Sequence, residues 1–98
     1  MGAPKAFRIE LAGGAERDLH RLPTDVQHTV LQEIHRWLVA RPFQEIKTRI
    51  KRLSGLIPPL YRLRVGDYRV YYRIVSDRVV VLALLHKKES DRWLQRLR

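Results

Sequence analysis

Between Tyr61 and Arg73 the chain reads YRLRVGDYRVYYR. Arg62 and Arg64 stand at alternate positions before Gly66-Asp67, and Arg69 and Arg73 flank Tyr71 after it. A period of two around a Gly-Asp turn describes a β-hairpin. Tyr61, Leu63, Val65, Val70, Tyr72 and Ile74 then share one face, and the arginines share the other with Tyr71. Same-face neighbours on adjacent strands stand ~5 Å apart, so the guanidinium groups repel one another unless an anion lies over them. The planar guanidinium fork donates two parallel hydrogen bonds to a phosphate. A tyrosine ring among such groups offers a platform for an unstacked base. The row therefore suits the phosphodiester chain of RNA, and an acidic protein segment would satisfy the same charges.

A second group with chemistry follows the apolar run Val79–Leu85. There the chain reads His86-Lys87-Lys88-Glu89. His86 is the one good titrating candidate near the arginines, in competition with a plain capping role at the strand end. Lys88 or Lys51 stands next in line as a base, and Glu89 reads as a helix cap. His20, His28 and His35 fall on helical segments away from this face. No His, Asp or Glu grouping has metal-ligand spacing, and the absence of cysteine excludes disulfides, thiolate metal sites and a cysteine nucleophile.

The charge is uneven. Up to Ile46 six basic residues balance six acids, whereas from Lys47 onward fourteen basic residues face four acids, so the whole net charge of +10 lies in the second part. Such asymmetry points to a polyanionic or acidic partner. No apolar run approaches the ~20 residues of a membrane span, and MGAPKAF lacks the apolar stretch of a secretory signal. Ala6 also stands where an N-myristoylation motif needs Ser or Thr. These features lead us to expect a cytoplasmic protein. At 98 residues the chain is one domain, 1–98, with a single core.

Several elements must position these groups. Phe7, Ile9 and Leu11 alternate with charged residues as in a strand, which Gly13-Gly14 ends. Ala15–Arg21 reads as a short helix. Pro23 suits the first turn of a second helix running to about Val39, with Pro42 as its stop. Trp37 and Val30 on this hairpin read either as core or as a contact for a partner's amphipathic helix. Gln44–Pro59 reads as a basic loop. Strands follow at Tyr61–Val65, Tyr68–Ile74 and Val79–Leu85, and a last helix begins at Glu89 or Ser90. The order β-α-α-β-β-β-α implies an α+β fold: an antiparallel sheet with an N-terminal helical hairpin on one face. The arginine face is left bare.

The helix opening LPTDVQ, the stretch KRLSG, the hairpin YRLRVGDYRVYYRI and the exit HKKE together resemble the RelE/ParE toxin superfamily, its RelE branch in particular. The likeness extends over nearly the whole chain. The resemblance implies the toxin of a type II toxin–antitoxin pair, an endoribonuclease that cleaves mRNA in the ribosomal A site without metal or other cofactor. A cognate antitoxin would cover its basic surface. It also implies roles: Arg69, in the motif GDYR, as the catalytic arginine, with Arg64, Lys88 and His86 beside it. The family's RNA-holding positions fall on Arg62, on Lys51 and Arg52 in the basic loop, and on Lys87 in place of Lys88 if the register shifts by one, while the outward face of the hairpin adds Arg73 and Tyr71. One departure stands out: Trp93-Leu94 occupies the region where several members carry a catalytic tyrosine. The other branch implies a DNA gyrase inhibitor with no nuclease activity, and the missing tyrosine leaves room for a non-catalytic RNA-binding relic.

Overall fold

The computed structural model describes residues 6–97. Residues 1–5, which carry most of the signal and acylation reading, lie outside the described residues. Eight elements follow in chain order: β1 (Arg8–Leu11), α1 (Gly13–Arg21), α2 (Thr24–Leu38), β2 (Ile50–Leu53), β3 (Leu60–Val65), β4 (Tyr68–Val75), β5 (Arg78–His86) and α3 (Lys87–Leu97). The strands form one sheet in the order β1-β5-β4-β3-β2.

The α+β architecture with a helical hairpin on one face is the expected one. Within it, β2 to β5 pair antiparallel, but β1 runs parallel to β5, with Arg8 opposite Arg78 and Leu11 opposite Val81. The sheet is therefore mixed. The chain leaves β1 at one edge, crosses as α1 and α2, and re-enters at β2 on the far edge. That long excursion frees β1 from hairpin geometry, so it can pair in parallel.

The main core lies between the hairpin and the sheet. Ala15, Val30, Ile34 and Leu38 from the helices meet Leu63, Val70, Tyr72, Val79 and Val81 from the strands. The spacing of Val30, Ile34 and Leu38 on α2 places all three on one helical stripe. α1 begins at Gly13, inside the glycine pair that the sequence assigns to the end of the strand. A Cβ at Gly14 would stand 3.4 Å from the Leu82 carbonyl oxygen, so glycine lets α1 lie close on β5. Beyond Leu11 the outer edge of β5 loses its partner strand, and the Leu84 N–H donates instead to Asp18 Oδ2 at 3.0 Å. Trp37 is half-buried against the core. Its Nε1 donates to Glu33 at 2.8 Å, and Arg36 and Arg49 lie over its ring at 5.4 and 5.3 Å.

Two elements depart from expectation. β2 arises inside the segment read as a loop, because a four-residue edge strand with only Ile50 and Leu53 apolar carries almost no hydrophobic alternation. Charged edges of this kind also discourage pairing with other chains. α3 begins at Lys87, earlier than Glu89 or Ser90. It lies across the second face of the sheet and closes a smaller core of Leu60, Tyr71 and Ala83, with Leu53, Leu82, Leu85, Trp93 and Leu94 around it. The second face is thus only partly bare.

Tyr72 ties the loop after α2 to the sheet. Its ring stacks on Tyr61 at 5.5 Å, and its hydroxyl donates to the Pro42 carbonyl at 2.6 Å. Burial, with Tyr61 adding to it, pushes the Tyr72 hydroxyl above the ordinary tyrosine value. Tyr72→Phe leaves a buried carbonyl unpaired and should cost about 1–2 kcal/mol in urea unfolding. A raised folded value means the contribution is complete below about pH 10 and is lost as pH climbs past it, since the unfolded hydroxyl ionises first. Urea-unfolding stabilities of the wild type and Tyr72→Phe should therefore converge as pH rises past that value.

Candidate nucleic-acid interface

Strand register builds the basic patch. Pairing of β2 with β3 sets Lys51 opposite Arg62; pairing of β3 with β4 sets Arg62 opposite Tyr71 and Arg64 opposite Arg69. Ile50, Leu63 and Val70 are buried in the main core, so Lys51, Arg62, Arg64 and Arg69 stand on the other face. Arg64 is exposed, and Arg62 and Arg69 are half-buried. The Arg69 guanidinium is anchored: one NH group donates to the Gly66 and Tyr68 carbonyls at 2.8 and 2.9 Å. Gly66 makes this turn with a φ of +56°, in the left-handed region that favours glycine.

The electrostatics follow from this arrangement. Burial first, and then the charges of Arg64 and Arg62, hold the Arg69 guanidinium below the usual arginine range. Among the described residues, no carboxylate forms an ion pair with Lys51, Arg62, Arg64 or Arg69. Asp67 compensates Arg69 only in small part, so the cluster keeps an excess of positive charge at short range.

A groove of about 400 Å³ continues the patch along β2. Lys47, Thr48, Arg49 and Lys51 line one side, Arg62 and Arg64 the other, and Glu45 is the one acid. Arg49 donates to the Arg64 carbonyl at 3.0 Å. Thr48 has a φ of 69°, unusual for a β-branched residue. Reciprocal backbone bonds between Ile46 and Ile50, at 3.0 and 2.9 Å, hold it there. Strain of this kind, about 1–3 kcal/mol, persists where the surrounding structure over-determines it, typically at binding sites. Lys47 and Arg49 carry no sequence pattern that marks them as part of the site. Both belong to the basic half of the chain, but only the turn at Thr48 folds them against Arg62 and Arg64.

The other candidates part company with this cluster. Tyr71 is on the expected face, yet it is 1% exposed, with its ring 4.8 Å from that of Trp93. It supports the second core and offers no open platform for a base. Arg73 is two positions further along β4, beyond the Tyr71–Trp93 pair, and its Nε is buried without a hydrogen-bond partner. Arg52 follows Lys51 on an edge strand, so alternation turns it to the opposite face; its N–H donates to Glu45 at 2.9 Å. His86 pairs with Tyr68, on the face of the helical hairpin, and their rings meet edge-on at 5.4 Å. Its Nδ1 accepts the Lys88 N–H at 3.1 Å, which caps the first turn of α3. His86 therefore stands away from the arginine row with one ring nitrogen already engaged. Lys87 reaches Asp67 at 3.3 Å, and its N–H donates to the Asp67 carbonyl at 2.7 Å. Lys88 is exposed beside it, so α3 starts at the same turn that anchors Arg69.

The comparisons with known proteins agree on one family. A family model described as the ParE toxin of type II toxin–antitoxin systems matches residues 9–91. This chain belongs to the RelE/ParE superfamily of type II toxins. Toxin RelE3 of Methanocaldococcus jannaschii is 26% identical over 72 residues, covering 74% of this chain and 81% of the relative. The RelBE2 toxin–antitoxin complex of Mycobacterium tuberculosis contains a chain of similar fold, with a TM-score of 0.65 and 26% identity over 83% of this chain and 98% of that one. The archaeal RelE–RelB complex of Pyrococcus horikoshii shares the fold at a TM-score of 0.64 and 24% identity, covering 83% and 94% of the two chains.

In this toxin Trp93 has a packing task over Tyr71. The toxin's charged row, by contrast, works against its stability. Arg64 and Arg69 are directly opposite one another, a like-charge pairing that destabilises an antiparallel sheet. Arg64→Thr should therefore stabilise the folded toxin by about 0.2–1 kcal/mol in low salt. The gain should shrink as added salt screens the row in the wild type. Urea titrations at two ionic strengths would measure it; a loss of stability would mean that the repulsion is not felt.

Proposed function

We propose that this toxin is an endoribonuclease that cleaves mRNA during translation, by attack of the substrate's own 2′-OH and without metal. The observation that carries the reading is the mutual crowding of Arg62, Arg64 and Arg69 on one face, unpaired by any carboxylate among the described residues. A phosphodiester laid across the row relieves that crowding. The 2′-OH then attacks the adjacent phosphorus, the pentacovalent phosphorane gathers negative charge, and the 5′-oxygen leaves. The products are a 2′,3′-cyclic phosphate and a free 5′-OH. Arg69, fixed in advance by the Gly66 and Tyr68 carbonyls, is positioned to stabilise the phosphorane. Arg64 stands beside it. Arg62, Lys51 and the groove residues Lys47 and Arg49 align the flanking phosphates.

Proton transfer is the weak part of this inventory. His86 is turned toward Tyr68 and caps α3, so we assign it to structure. Lys51 and Lys88 remain as the protein's own candidates for the proton steps. A site so poor in acid–base groups depends on its surroundings to arrange the substrate, and the ribosomal A site in the cytoplasm is the arrangement we favour. A cognate antitoxin is the expected partner, since the similar solved structures are toxin–antitoxin complexes.

The matching family model is described as a ParE toxin, which keeps open the second reading that the resemblance implies, an inhibitor of DNA gyrase that cuts no RNA. One experiment separates them. The 5′ ends of a translated and an untranslated copy of one transcript are mapped after controlled expression of the wild type, Arg69→Ala and His86→Ala. We expect cuts in the translated copy alone, reduced about 10²–10³-fold by Arg69→Ala, the usual effect of removing one transition-state donor. His86→Ala should keep cutting and show only a lower melting temperature, from a lost cap of about 0.5–2 kcal/mol. Intact transcripts accompanied by gyrase-linked DNA breaks would instead establish the second reading.

A further inference from the structure

A second set of arginines stands apart from the sheet row. Arg17 and Arg21 are four residues apart on α1, and Arg92 and Arg96 are four apart on α3, so each pair shares one helical face. The two faces line one hollow of about 320 Å³, floored by Leu82 and Leu85 and walled by Trp93. All four arginines are exposed, and among the described residues none is ion-paired with a carboxylate. Like charges at this spacing destabilise each helix. The hollow's own acids are Asp18, already hydrogen-bonded to the Leu84 N–H, and Glu89. An adjoining hollow of about 220 Å³ shares Arg21 and Glu89 with it and reaches Tyr68 and His86. The pair form one groove between α1 and α3. It runs to the strand end where Tyr68 precedes Arg69, so it approaches the anchored arginine from the opposite face of the sheet.

We propose that this groove binds a phosphodiester backbone, taking the flank of an RNA whose central part lies over Arg62, Arg64 and Arg69. The inference rests on the nuclease reading in one respect, that the ligand is RNA. Arginine alone supplies the groove's cations, and its planar fork matches phosphate. Trp93 lines one hollow and Tyr68 the other, but the first ring packs on Tyr71 and the second meets His86 edge-on, so the guanidinium groups carry the binding. RNA is favoured over an acidic peptide because the groove ends at Tyr68, beside the anchored Arg69, so one backbone can follow both sets of arginines.

The test compares the full-length wild type with Arg17→Gln/Arg92→Gln and with Arg62→Gln/Arg64→Gln. Binding of fluorescein-labelled single-stranded RNAs of about 4 and about 12 nucleotides is followed by anisotropy, lengths that bracket common single-strand site sizes. Salt runs from about 50 to about 200 mM, and the groove variant should bind the longer RNA about tenfold more weakly, with a log–log salt slope shallower by about 1.4. Its affinity for the shorter RNA should stay as in the wild type. Arg21→Gln/Arg96→Gln repeats the test should the first variant melt early. A groove variant that binds the longer RNA like the wild type, while the row variant is impaired, overturns the groove and leaves the nuclease reading intact. A wild type that binds neither RNA also overturns the groove, while the nuclease reading is decided separately by the transcript mapping. A poly-glutamate peptide that binds the wild type but not the groove variant, with RNA binding unmoved, assigns the groove to an acidic protein and also overturns the proposal.

Discussion

Crowding of like charge governs this molecule. Arg64 faces Arg69 across a strand pair and Arg62 is two positions away on the same face, so three guanidinium groups crowd together with no ion-paired carboxylate among the described residues, and the Asp67 charge offsets only part of the repulsion at Arg69. Such an arrangement survives only because the opposite face of the same strands is fixed in the core. Leu63, Val65 and Val70 are almost fully buried, and a slip of one residue would exchange them for the arginines. Hydrophobic burial thus enforces an electrostatic arrangement that is unfavourable in the free protein. A stored repulsion of this kind is released by an anion, which gives the face its ligand preference.

α3 determines how much of that face is available. By packing Trp93 over Tyr71 and gathering Leu53, Leu60 and Ala83 beneath it, the helix seals the middle of the sheet. The open surface is displaced toward β2 and β3, where the groove lined by Lys47, Arg49 and Lys51 extends it. The same helix is fastened to the Gly66–Asp67 turn through Lys87 and capped by His86. Its attachment point is therefore also the anchor of Arg69. Anything that lifts α3 would disturb the arginine and uncover the tyrosine together, and a partner that competes with the helix for the sheet would act on both.

The alternation of YRLRVGDYRVYYR was enough to read the central hairpin and its two faces, because period-two patterning and a Gly-Asp turn reinforce each other there. The helical hairpin was equally plain from Val30, Ile34 and Leu38. The sequence was silent where structure depends on tertiary context. β2 has too few apolar residues to show a period, and its pairing is dictated by β3. Tyr71 and Arg69 look alike as outward positions on β4, and only the landing of α3 buries one and leaves the other. His86 follows a continuously apolar strand, so alternation gave no face for it. The register shift between Tyr71 and Tyr72 against β5 alters the parity of the strand before it reaches His86. A bulge of that sort carries no residue signature, which is why a histidine expected beside the arginines emerges on the opposite side.

The chemistry of the surface follows from what it lacks as much as from what it holds. Arginine stabilises charge but does not exchange protons at ordinary pH, and the one histidine at the strand end serves as a helix cap. A face built this way can grip a phosphodiester and favour its charged transition state more readily than it can move the protons that the reaction requires. Preorganised charge without matched acid–base groups is half of a nuclease. For the proposed reaction, the remaining half must come from the geometry imposed on the substrate: a 2′-OH held in line with the departing 5′-oxygen gains several kcal/mol from orientation alone. Translating ribosomes supply an RNA held in a fixed path, which free transcripts do not. On this argument, the proposed restriction to translated RNA follows from the residue inventory, and the proposed nuclease would do little harm to RNA it met in solution.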